Sequence, residues 1–128
     1  MSHNEHHETV LDGVAGQLKT VFAQSAQGIY IYLDDDHLIC NEKFAKMLGY
    51  SSTKEVRSTA GSFLEAFVAE SSQPVLAKAY QDAMQHQTGS TNQITWKTKT
   101  DKEVGSTTIL VPIEFDGHLM ALHFITEK

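Results

Sequence analysis

Cysteine is nearly absent: Cys40 is the only thiol in 128 residues. One thiol closes no internal disulfide, so the fold must rest on a packed core, and such usage fits a reducing compartment, the cytoplasm. Positive charge is also in short supply. Ten Lys and Arg stand against 16 Asp and Glu, a formal net charge of −6 with the two signs interspersed. That leaves no basic face for a phosphate backbone, so nucleic acid is not an expected partner. Nothing approaches the roughly 18 consecutive apolar residues of a membrane span, so a membrane is not expected either. The amino terminus lacks the order of a signal peptide. Phosphate-cradling glycine loops, a nucleophile elbow and a paired-carboxylate motif are missing too, which argues against an enzyme. No two of the seven histidines have the spacing of a zinc pair, and no metal is expected. Met1-Ser2-His3 has the spacing of an amino-terminal copper or nickel clip, but a solvated polar leader explains residues 1–8 as well.

What is there suits one domain. Apolar residues make up 41% of the chain, and a chain of this length buries roughly 65–70% of its unfolded surface. The organising stretch is 28–50, GIYIYLDDDHLICNEKFAKMLGY. Ile29, Ile31 and Leu33 alternate with Tyr30 and Tyr32, a strand in which both faces are apolar. Asp34-Asp35-Asp36 supplies turn chemistry, which explains it without a bound cation. Leu38-Ile39-Cys40 returns as a second strand. Asn41 is placed to cap a helix, Phe44, Met47 and Leu48 share its inner face, and Gly49 ends it.

Ahead of this stretch, helical spacing begins at Thr9, with Asp12 as a capping-box variant. Val10, Leu11, Val14, Leu18, Val21 and Phe22 form one apolar stripe, weakened by Gly13 and Gly16. Such a helix needs a surface to lie on, either its own sheet or a second copy of the chain. After 50, Ser52 and Glu55 read as a capping box for a short helix. Phe63, Leu64, Phe67 and Val68 mark another. Pro74 suits the first turn of a longer helix with Leu76, Ala79, Tyr80, Ala83 and Met84 inward and Gly89 as terminator. Residues 92–100, 105–115 and 118–126 read as three strands, the last two joined by the strong hairpin signal Asp116-Gly117. Two hairpins split by a helical insertion fit an α+β fold: one five-stranded antiparallel sheet with helices on one face.

The run from Gly28 through Asn41, Phe44, Leu48, Gly49, Tyr50 and Ser51 resembles the opening half of a PAS domain. Asp36 stands where that family's turn glycine usually is. The closing half is similar as well, through the long helix, Pro112-Ile113, Asp116-Gly117 and the ending Phe124-Ile125-Thr126-Glu127, with Phe124 replacing the family's Asp. The resemblance spans about residues 20–128. It divides the chain into a leader and amphipathic helix at 1–20 and a PAS-like domain at 21–128.

The resemblance implies a signal-sensing or protein-interaction module rather than a catalyst. Its ligand pocket would lie between sheet and helices, walled by Ile31, Phe44, Leu48, Phe63, Phe67, Tyr80, Met84, Leu110 and Leu122. The flavin subgroups' cysteine-bearing and Arg-His-Pro runs are absent, and Cys40 reads as a small core residue. In some haem-binding members a histidine of the long helix ligates iron, and His86 falls near that place. The helix C-terminus explains an imidazole there equally, and the cofactor is left open. Trp96 reads as a sheet aromatic, and His123, alternating with Leu122 and Phe124, as outward-facing. The N-terminal stripe is expected to pack or to make a homodimer. Two alternatives stand beside the sensor. One is a ligand-free homodimerisation module. The other is a small α+β cone enzyme of the ketosteroid-isomerase kind, disfavoured because a strand pair precedes the core helices.

Overall fold

Strand β1 (Gly28–Asp34) sets the architecture, because both of its apolar faces are covered. The computed structural model describes residues 3–34, 37–59 and 61–128, with side chains from Thr9 onward. Helices α1 (His3–Gln17) and α2 (Lys19–Gln24) precede β1, and β2 (His37–Cys40) follows it. Then come α3 (Glu42–Met47), α4 (Thr53–Ser58), α5 (Phe63–Phe67), a single 3-10 turn at Glu70–Ser72, and α6 (Gln73–His86). Strands β3 (Ser90–Lys97), β4 (Glu103–Phe115) and β5 (His118–Glu127) close the chain. One five-stranded sheet results, in the order β2-β1-β5-β4-β3, with every pair antiparallel. First and last strands are therefore neighbours at its centre.

The inner face of the sheet meets α3 to α6. Tyr30, Cys40, Ile94, Trp96, Leu110 and Ile125 pack there against Phe44, Leu48, Phe63, Phe67, Leu76 and Ala83. The outer face carries Ile29, Ile31, Ile39, Met120 and Leu122, and α1 lies on it through Val10, Leu11 and Val14. Those three helix side chains are almost fully buried, each contributing about 1.5–3 kcal/mol. Gly13 permits the close approach: a Cβ there would stand 2.7 Å from Cε1 of Phe115 on β4. The helix starts at His3 rather than Thr9, since no residue before Gly13 breaks it. Thr9 is thus interior to α1 and not a cap. The metal clip suggested by Met1-Ser2-His3 lies outside the described side chains, as do Asp35 and Asp36 of the acidic turn.

Asn41 ties the two halves together. Its Oδ1 accepts from the backbone N–H groups of Phe44, capping α3, and of Ile29 in β1, at 3.0 and 2.9 Å. Its Nδ2 donates to the carbonyls of Gln27 and of Phe22 in α2, at 3.1 and 3.3 Å. The Ser52 hydroxyl accepts from Glu55 N–H as expected, but the Glu55 carboxylate returns to Ser51 rather than to Ser52. Gly49 (φ +82°) follows α3 in the left-handed region. At the end of α6 it is Gln87, φ +52°, that takes this conformation, two residues before Gly89. Asp116 and Gly117 both have positive φ, as a two-residue hairpin of the primed type requires. No helix among the described residues is long and apolar enough to cross a membrane.

Candidate functional site

Between the inner sheet face and the helices, packing leaves a cavity of about 130 Å³. The sheet supplies Tyr30 and Tyr32 from β1 and His123 from β5. The helices supply Phe63 and Leu64 from α5, and Leu76, Ala77 and Tyr80 from α6. Tyr30 and His123 are fully buried, while Ala77 is exposed, so the cavity runs from the core to the surface. Its walls are mostly rings: Tyr32 stands edge-on to Phe63 and to Tyr80, at centroid distances of 5.5 and 5.1 Å. A larger depression of about 530 Å³, bordered by Lys43, Lys46 and Glu127, is a surface groove whose rim is charged and exposed.

Tyr30 and His123 are cross-strand partners, and their rings stack at 3.8 Å with planes 8° apart. Phe44, Phe63 and Trp96 complete the aromatic surroundings of Tyr30. Among the described residues the other buried polar side chains are paired. Trp96 Nε1 donates to Ser106 Oγ, which donates to the Ile94 carbonyl, and Ser72 Oγ accepts from Thr95 N–H. Among the described residues, the buried side-chain polar atoms without a hydrogen-bond partner are Tyr30 Oη and His123 Nδ1, and both belong to side chains that line the cavity. Leaving such a group unpaired costs about 1–3 kcal/mol, so two at one place call for an explanation.

Burial sets the protonation of the site. Loss of solvation pushes the His123 imidazole down to about 3, the backbone of Tyr30 and Ala121 offsetting only part of it, so the ring is neutral. Desolvation raises the Tyr30 phenol well above its ordinary value, with the Tyr32 phenol adding to the effect. Burial also pushes the Cys40 thiol up to about 12, against a small opposing pull from Arg57, so this sulfur is no nucleophile at neutral pH.

The expected wall residues are divided by the sheet. Phe63 and Tyr80 line the cavity. Phe44, Leu48, Phe67 and Leu110 are buried in the same inner core, and Met84 packs against it, none of them at the cavity wall. Ile31 and Leu122 lie on the opposite face beneath α1, which corrects their expected place in the pocket. His123 faces inward, not outward as the alternation suggested. The cause is the same in each case: α1 makes the outer face apolar too, so alternation alone does not reveal which side is inner. Tyr30, Tyr32, Leu64, Leu76 and Ala77 also line the cavity and were not among the expected wall residues, although Leu76 was expected to face inward. The signal that marks the two tyrosines is their polar tip, since a second apolar layer is better made from aliphatic side chains than from phenols. His86 is exposed in the last turn of α6 and does not line the cavity.

No family model and no curated protein matches this sequence. Solved structures do match in shape. A PAS domain of a protein from Colwellia psychrerythraea superposes with a TM-score of 0.69 at 15% identity, over 90% of this chain and 97% of that one. The Rhodobacter sphaeroides LOV protein gives 0.68 at 16% identity, over 91% and 67%. A PAS domain from a two-component sensor histidine kinase gives 0.64 at 14% identity, over 88% and 99%. The likeness is one of fold, which in this chain is a five-stranded antiparallel sheet with α3 to α6 on its inner face and α1 on the other. It has the fold of a PAS domain.

Proposed function

We propose that this chain is a sensory module that admits a small molecule to the cavity between Tyr30 and Tyr80 and passes the change on through its N-terminal helices. The observation that carries this reading is a cavity that opens from the core to the surface and is lined by Tyr30 and His123, the two side chains that, among the described residues, hold a buried polar atom without a partner. Similarity in fold to a domain of a sensor histidine kinase supports it. Haem and flavin do not fit: about 130 Å³ is under half the roughly 300 Å³ at which drug-sized pockets begin. The route outward runs from β1 through Asn41 to the Phe22 carbonyl in α2. The role is non-catalytic, and the lone buried thiol suits a cytoplasmic setting.

Partner contact belongs to the same reading. Of the six apolar residues in the N-terminal stripe, Val10, Leu11 and Val14 are used up on the protein's own sheet. Leu18 and Phe22, half-buried, pack against the same core, and Val21, 45% exposed, remains for a second copy of the chain.

The test is a library of monocyclic compounds, charged and uncharged, titrated into ¹⁵N-labelled full-length protein. Shifts centred on Tyr30, Phe63, Leu64 and Ala77, with a secondary response at Asn41 and in α2, are expected. Silence at these positions across the library would overturn the sensory reading. Sedimentation of the wild type beside Val21→Glu tests the homodimer, which predicts a dimer that the variant dissociates.

A further inference from the structure

The surface that the cavity shows to a guest narrows what enters it, an inference that rests on the sensory reading above. The cavity has a floor and a mouth. Tyr30, Phe63, Leu76 and His123 are buried and make the floor. Leu64 and Tyr80 are half-buried and Ala77 is exposed, so the mouth lies at α5 and α6. Size is the first filter. An apolar cavity of about 150 Å³ holds a benzene ring, so about 130 Å³ here takes one six-membered ring and has no room for two fused ones.

Polarity is the second filter. Tyr30 Oη and His123 Nδ1 are closed even to a water molecule, so a guest does not reach them. The surface that a guest does reach is almost wholly hydrocarbon. A hydroxyl carried to the floor would lose its water and find no partner there. An apolar space of this size also stays dry, so a hydrocarbon guest displaces no bound water and gains by leaving solvent. Charge is the third filter. Among the described residues lining the cavity none is an acid, a lysine or an arginine, and the buried His123 is neutral. A charged ligand would give up its hydration and meet no counter-charge.

We infer that the ligand is an uncharged monocyclic hydrocarbon that fills the space from the buried floor to Ala77 and makes no hydrogen bond to the protein. Toluene is a simple member of this class. Ala77 sets the width of the mouth, since its methyl group leaves open what a larger side chain would close.

The experiment titrates toluene, phenol, benzoate and naphthalene separately, at matched concentrations, into full-length wild type and Ala77→Leu, following the amides of Tyr30, Phe63, Leu64 and Ala77. Ala77 is exposed and Leu suits a helix nearly as well, so the variant keeps its fold. Toluene is expected to bind more tightly than phenol by roughly tenfold or more, with benzoate silent. Naphthalene, although the more apolar, is expected to bind more weakly than toluene, and Ala77→Leu to weaken toluene. Phenol or benzoate binding as tightly as toluene, naphthalene binding more tightly, or Ala77→Leu leaving toluene unaffected each overturns the monocyclic hydrocarbon, while the sensory reading survives on the shifted amides. So does silence of toluene when other library members shift the same amides. Silence of the whole library removes both.

Discussion

The imidazole of His123 lies flat on the phenol ring of Tyr30, 3.8 Å between centroids, and each ring carries one polar atom with no partner. A stable core would not be built this way. On the sensory reading proposed above, it is a site held ready at some cost to the empty fold, the usual tension between stability and function.

Replacing Tyr30 by Phe should therefore stabilise the unliganded protein. Removing an unsatisfied buried hydroxyl relieves about 1–3 kcal/mol, partly offset by lost ring contacts of the oxygen. Urea unfolding should show a higher midpoint at unchanged slope. A lower midpoint would mean that the hydroxyl is already satisfied in the empty protein.

Acid should weaken the fold in a defined window. His123 titrates near 3 when folded and near its ordinary 6.5 when unfolded. Between those values the unfolded chain binds the extra proton, so stability falls as pH drops, by on the order of 1 kcal/mol per pH unit. Above 6.5 the group contributes no slope. Glu55, held down to about 2 by its hydrogen bonds to Lys99 and Ser51, adds its own loss only below about 4.5. His123→Phe should flatten the profile from 6.5 to 4.5 and leave the lower limb. An unchanged slope in that upper range would show the imidazole to be solvated.

Asn41→Asp preserves shape and both acceptor bonds to Ile29 and Phe44, but it deletes the donations to Phe22 and Gln27. It also sets a carboxylate against two carbonyls, at a cost of about 2–3 kcal/mol. Hydrogen exchange should quicken mainly in 18–27, with β4 and β5 still protected. Uniform quickening would show that the amide supports the whole fold and not the junction.

The two glycines of α1 should respond differently to alanine. Nothing lies within 4 Å of a Cβ at Gly16, so Gly16→Ala should gain up to about 1 kcal/mol of helix propensity. Gly13→Ala meets the Phe115 ring and should lose stability or lift α1. Denaturation midpoints of the two variants, measured together, distinguish these outcomes.

Much of the fold was legible because local chemistry and tertiary demand agree. Asn41 caps α3, Gly49 turns left-handed after it, and Asp116-Gly117 closes the last hairpin, each as its residue type dictates. The site was less legible. Ile31 and Tyr30 are equally plausible as inner residues until α1 is known to cover the outer face. Leu122 and His123 were exchanged for the same reason. Ala77 carries no pattern at all, since what it contributes is space.

The place of β5 beside β1 has a kinetic consequence. Tyr30 and His123 come from near opposite ends of the chain, yet they meet on adjacent central strands. Bringing them together requires closing a loop of most of the sequence, among the slowest steps in a chain of this topology. No partly folded form that lacks the final strand contains the cavity. On the proposed sensory reading, ligand is captured only by chains with β5 in place, and its binding stabilises that long-range pairing.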